Sequence, residues 1–159
     1  MKRYAVLASM LAELEKNKMA TRSVIGQVQE NGKIKVIYCH WDGYLEHVGQ
    51  TLADHYDSDE KVSALIALGD LSTLGPDLGE KHSKEDTLKA RSPMTTAYGR
   101  DLEQEGSEAQ EFSSVEDFLT YGENVGAEFF YLFEDGEGWN YYSNRKTFQE
   151  IKPSTLAEV

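Results

Sequence analysis

Cysteine is almost missing from this chain, with Cys39 standing alone among 159 residues. One thiol excludes an internal disulfide framework, and no CxxC or Cys/His pairing at zinc-finger spacing points to a structural zinc site. A reducing compartment, the cytoplasm, is the expectation. No apolar run approaches the ~20 residues that a membrane span needs, so no membrane role is expected. Phosphate-loop chemistry is missing as well: residues 75–82 lack the GxxxxGK(S/T) spacing and follow no strand. Gly122, Gly126 and Gly136 are too scattered for a dinucleotide fingerprint, so no cofactor is expected. Lysine and arginine are wholly absent between Arg100 and Arg145.

What is present reads as one domain. The chain is long enough to bury a modest core, and 40% of it is apolar. Residues 1–18 begin with a basic end and a short apolar run, as a signal peptide does. Val6, Leu7, Met10, Leu11 and Leu14 nonetheless recur at helical spacing among Glu13, Glu15, Lys16 and Lys18, which describes an amphipathic helix or extension. Residues 19–152 form the domain proper, and 153–159 a tail. Within the domain, 23–29 and 33–39 read as strands joined at Asn31-Gly32, a dipeptide suited to a type I′ turn. Leu45, Val48, Leu52 and Tyr56 then predict a helix, and Asp57 with Glu60 caps a second one carrying Val62, Leu65, Ile66 and Leu68 and ending at Gly69. Residues 70–93 read as a long ordered loop, and residues 95–101 as a short strand ending in the pair Arg100 and Asp101, an ion pair or a site. Ser113 with Glu116 caps a helix that stops near Gly122. A second hairpin joins 127–133 to 139–142 through 135–138. The fold class is α+β: a mostly antiparallel sheet built from two β-hairpins, with helices packed on one face.

The charge is local. Twelve of the 28 acidic residues lie between Arg100 and Arg145, which leaves 16 acids against 16 bases elsewhere. A field of this kind repels nucleic acid and attracts basic protein surfaces. A solvated face is the plain alternative. The docking surface expected from the sequence comprises Asp101, Glu103, Glu105, Glu108, Glu111, Glu134, Asp135 and Glu137, with Trp139 as an aromatic anchor. Phe130 and Leu132 alternate with Phe129, Tyr131 and Phe133, so one set faces helices and the other needs a second cover or a partner.

The densest reactive segment is YCHWDGY, residues 38–44. Cys39 and His40 point to opposite faces as strand neighbours, which rules out a paired thiol and base. His40 and Asp42 can share a face, with His47 close in sequence, as a general base or as metal ligands. This segment and the following Glu46-His47-Val48-Gly49, together with 68–72, 96–101 and Trp139, resemble a family of small phage and prophage proteins without characterised biochemistry. The resemblance covers roughly residues 20–150. Leu45 departs from it where proline would follow the tyrosine, and Met19-Ala20-Thr21-Arg22 itself looks like a family start. The resemblance implies a mobile-element origin, where small acidic proteins often bind host machinery.

Together these readings predict a non-enzymatic acidic protein that engages a basic surface of a host protein and inhibits a nucleic-acid-handling or defence complex by charge mimicry. The alternatives are a small metal- or His-dependent hydrolase or nuclease using His40, Asp42 and His47, and an accessory protein that self-associates through its aromatic hairpin.

Overall fold

A computed structural model describes residues 21–81, 95–143 and 148–153. The expected N-terminal helix, much of the expected loop over 70–93 and most of the tail lie outside the described residues. The strands are β1 (Ser23–Val28), β2 (Ile34–Cys39), β3 (Leu71–Thr73), β4 (Thr96–Ala97), β5 (Gln110–Phe112), β6 (Phe129–Glu134), β7 (Gly138–Ser143) and β8 (Phe148–Glu150). A π turn at Leu45–Gly49 runs into α1 (Gln50–His55), followed by α2 (Asp59–Ala67), α3 (Tyr98–Leu102) and α4 (Val115–Asn124).

The fold is α+β, with one mixed and mostly antiparallel sheet in the order β4-β3-β2-β1-β6-β7-β8. Strand β5 shares the outer edge of β2 with β3. The pairs β1–β2 and β6–β7 lie at its centre, and β1 joins them by running parallel to β6. The sheet is therefore larger than two hairpins, because short strands that carry no alternation of their own extend it.

Helices cover both faces, which corrects the one-faced arrangement expected. On one face Ile25, Ile37, Cys39, Tyr131 and Phe133 pack with Val48 and Leu52 and with Val62, Leu65 and Ile66. On the other, Val24, Val36, Phe130 and Leu132 pack with Phe118 and Leu119 of α4. The physical reason lies in β1 and β6, whose consecutive apolar residues put hydrocarbon on both sides of a central strand. Burying a side chain as large as Phe118, fully enclosed here, contributes about 2–3 kcal/mol. Gly122 makes that approach possible, because a Cβ there would sit 2.2 Å from the Phe130 ring. Gly122 is packed inside α4, which runs to Asn124, two residues past the stop expected near Gly122; the left-handed residue past its end is Gly126.

The turns and caps fall one residue away from their expected places. Asn31 does not take positive φ, so the first hairpin has no type I′ turn. Gly32 N–H donates to Gln29 O at 2.9 Å and Gly32 alone is left-handed, the three-residue loop with a glycine bulge. Ser58, not Asp57, caps α2 by accepting from Lys61 N, and Ser114, not Ser113, caps α4 by accepting from Asp117 N. In both cases two adjacent polar residues can serve as cap, and packing of the helix face chooses between them. Asp57 pairs with Lys61 at 3.2 Å instead.

Candidate functional site

Two of the expected docking residues are buried, and both corrections have clear causes. The Asp101 side chain is fully enclosed. One carboxylate oxygen accepts from Ala97 N at 2.8 Å and from Arg100 Nη2 at 3.1 Å, and the other from Arg100 Nε at 3.0 Å. Arg100 also donates to Thr95 O and Gly79 O, so the pair holds the backbone of three segments together. Trp139 is only 3% exposed and donates its Nε1–H to Tyr56 O at 2.7 Å. It anchors β7 to the end of α1 and is not a surface aromatic.

The exposed acids divide into groups. Glu103, Glu105 and Glu108, from the segment after α3, line a cleft of about 660 Å³ with Gln27, Gln29, Lys35, Ser63 and Arg100. Glu134 and Asp135 line a second cleft of about 620 Å³, where Glu30 and Asp59 join them from outside the acidic stretch. The clefts share Gln27, Gln29 and Ser63, so they are adjoining parts of one groove beside α2. Gln27 is buried, and its Nε2 lies within hydrogen-bonding reach of Asp59 Oδ1 and Ser63 Oγ, both at 2.9 Å. Gln29 in turn donates to Gln27 O at 3.0 Å. This amide network fixes the floor on which the carboxylates stand. Glu111 lies apart on β5, within 3.6 Å of Lys33, and Glu103 is 3.4 Å from Lys81. Both pairs are solvent-exposed and each is worth about 0–1 kcal/mol. Glu137 is exposed at the β6–β7 turn. Glu116, Asp117 and Glu123 belong to α4, on the opposite face of the sheet. The single continuous acidic surface expected from the sequence is thus a groove plus outlying charges. Sequence reasoning missed Gln27, Gln29, Ser63, Glu30 and Asp59, which carry no motif and meet only through the fold.

The YCHWDGY segment is arranged for packing. Cys39 is buried with its thiol 3.6 Å from Trp41 O, and burial pushes that thiol up to about 12, which leaves it un-ionised at neutral pH. His40 Nδ1 lies 2.7 Å from the Tyr38 hydroxyl, and its ring meets Trp41 edge-on. Asp42 occupies a left-handed corner with φ 55°, pinned by Gly43 N–H donating to Thr21 O and by Tyr131 O–H donating to Gly43 O. His47 packs against Tyr44. Among the described residues no hydrogen bond joins His40 to Asp42 or His47, and no three His, Cys, Asp or Glu side chains gather as a metal site. No helix among them is long and apolar enough to cross a membrane.

One carboxylate outside the groove completes a ladder. Asp70 Oδ1 accepts Tyr38 N–H at 2.9 Å, in the gap on β2 between its partners β5 and β3. Burial raises the pKa of Asp70, the Tyr38 N–H lowers it and Glu108 raises it. A raised carboxyl binds its proton more tightly in the folded state, so the ionised form counts against folding. Asp70→Asn keeps the acceptor without the charge. It is expected to match the native protein at low pH and to exceed it in stability increasingly as pH rises from the ordinary carboxyl range near ~4 through the raised folded value. Asp70→Ala orphans the Tyr38 N–H and is expected to cost about 1–3 kcal/mol. Urea titrations of both variants across pH 3–8 measure this; equal losses in the two would refute the assigned role.

Compared with family models, with curated proteins and with solved structures, the chain matches none. Function is therefore argued from the groove and its surroundings.

Proposed function

We propose that the protein is a non-enzymatic binding module whose acidic groove engages a basic surface of a partner protein, in the phage-like reading a host complex that handles nucleic acid or defends against it. One observation carries this: among the described residues, seven exposed carboxylates, Glu30, Asp59, Glu103, Glu105, Glu108, Glu134 and Asp135, line adjoining clefts against the cations Lys35 and Arg100, with Lys81 beside Glu103. Arg100 is already committed to Asp101. Carboxylates standing within a Debye length, ~8 Å at physiological salt, add their potentials, and a concave wall focuses the field. Such a field accelerates encounter with a basic surface and repels nucleic acid itself. The hydrolase reading lacks comparable support, since His40 is engaged by Tyr38 and not by Asp42. Self-association through the second hairpin is disfavoured by the burial of Tyr131, Phe133 and Trp139.

The test is capture from host lysate at low and moderate salt, comparing the native chain with a variant carrying Glu103→Gln, Glu105→Gln, Glu108→Gln, Glu134→Gln and Asp135→Asn. Capture is expected to fall roughly tenfold or more in the variant and to weaken with salt in the native chain. Each exposed substitution should change stability by no more than about 0.5 kcal/mol. A partner held equally by both proteins at both salt concentrations would overturn the proposal.

A further inference from the structure

The sheet face opposite the groove carries a different cluster. The register that pairs Ser23 with Cys39 and Val24 with Tyr38, continued by one residue, sets Arg22 across from His40 and on the same face as Tyr38. The Tyr38 hydroxyl reaches His40 Nδ1 at 2.7 Å. With the phenol as donor, the imidazole carries its own proton on Nε2 and presents it as a second donor. Burial and the neighbouring Arg22 charge both lower the His40 pKa, which favours the neutral ring. Arg22 is exposed, and its guanidinium lies against Gly126, where a Cβ would come within 3.0 Å of Nη1.

Lys33, Lys61, Lys81 and Arg100 each have a carboxylate within 3.6 Å, whereas Arg22, like Lys35 and Lys152, forms no ion pair among the described residues. The Arg22 guanidinium is hydrogen-bonded to the Tyr38 hydroxyl, whose own proton is then directed at His40. Among the described residues the ionisable groups that act on the cluster include Cys39, Asp70, Tyr98 and Tyr121, which interact with Tyr38 or with one another, and Glu128, whose N–H donates to Arg22 O. None of them forms an ion pair with Arg22. A guanidinium fork beside a neutral imidazole N–H matches the oxygens of a phosphate group.

We propose that Arg22 and His40 form a binding site for a phosphate-type oxyanion, with Tyr38 holding the imidazole so that Nε2–H faces outward as a donor. The site is independent of the acidic groove and stands or falls without it. A bound anion offsets the Arg22 charge and favours the imidazolium, so occupancy raises the His40 pKa.

The experiment is an NMR titration of the full chain with inorganic phosphate, at ionic strength held constant with sodium chloride, following the imidazole protons of His40 with His47 and His55 as internal controls. A saturable shift confined to His40, with its pKa rising on binding, is expected. Arg22→Gln, an exposed substitution that leaves the fold intact, is expected to weaken phosphate binding about tenfold or more. Tyr38→Phe is expected to change the His40 ring-nitrogen shifts, which report the protonated nitrogen, and to weaken binding several-fold. A nucleoside monophosphate and a phosphoserine peptide run in parallel assign the source. Tighter binding of either makes the site one for an organic phosphate, and equal binding makes it one for the free oxyanion. Absence of a His40 shift, equal shifts at His47 and His55, or an unchanged affinity in Arg22→Gln would overturn the proposal.

Discussion

Replacing Asp101 by alanine is expected to lower the free energy of unfolding by about 3–5 kcal/mol, because it strands a largely buried guanidinium and an enclosed backbone N–H. The carboxylate accepts from Ala97 N and Arg100 together, and Arg100 reaches on to Thr95 and Gly79. One deletion therefore loosens β4, α3 and the segment around residue 79 at once. Asp101→Asn keeps an acceptor for part of the set and is expected to fall between alanine and the native residue. Urea denaturation read by far-UV circular dichroism measures all three. Asp101 sits in the same acidic stretch as Glu105, yet neutralising Glu105 should change stability by no more than about 0.5 kcal/mol. An Asp101→Ala protein as stable as a Glu105→Gln protein would show that the burial assigned to Asp101 is wrong.

Trp139→Ala is the second substitution with a large expected cost, also about 3–5 kcal/mol, since the indole fills space between β6, β7 and the end of α1. Its ring lies 5.2 Å from that of Phe133, so the cavity would open inside the aromatic core. Trp139→Phe keeps most of the volume but leaves Tyr56 O without its indole donor, and is expected to cost about 1–3 kcal/mol. Thermal melts of the two variants separate volume from hydrogen bond. If Trp139→Ala melted at the native temperature while partner capture failed, the indole would be a surface anchor after all.

These two residues show where sequence reading stops. Both were placed in the docking surface because each stands next to charged residues in the chain, and neighbourhood along the backbone does not determine which side of an element faces water. In the pair Arg100-Asp101 the choice between ion pair and site depended on Thr95 and Gly79, which close around it only after folding. The central strands were legible, since Val24, Ile25, Val36 and Ile37 and the run Phe129–Phe133 are long enough to declare themselves. Strands β3, β5 and β8 were not, because three residues carry no period and pair only through what lies beside them. The second helical layer was half visible: the alternation in Phe129–Phe133 demanded a cover for both sides, and α4 supplies it. The groove was invisible, because Gln27, Asp59, Glu103 and Glu134 come from four separate elements and share no motif.

The parallel pairing of β1 with β6 joins Ser23 to Phe129, so the centre of the sheet is stitched from the two ends of the domain. While the chain emerges from the ribosome, the first hairpin, complete at Cys39, must wait until the chain reaches Phe129 before its inner edge is closed, and until then it offers two greasy surfaces and an open row of amide groups. Such long-range closure places folding toward the slow, millisecond-to-second end for domains of this size. Translation that halts anywhere before β6 yields a fragment whose open edge and apolar surfaces favour aggregation.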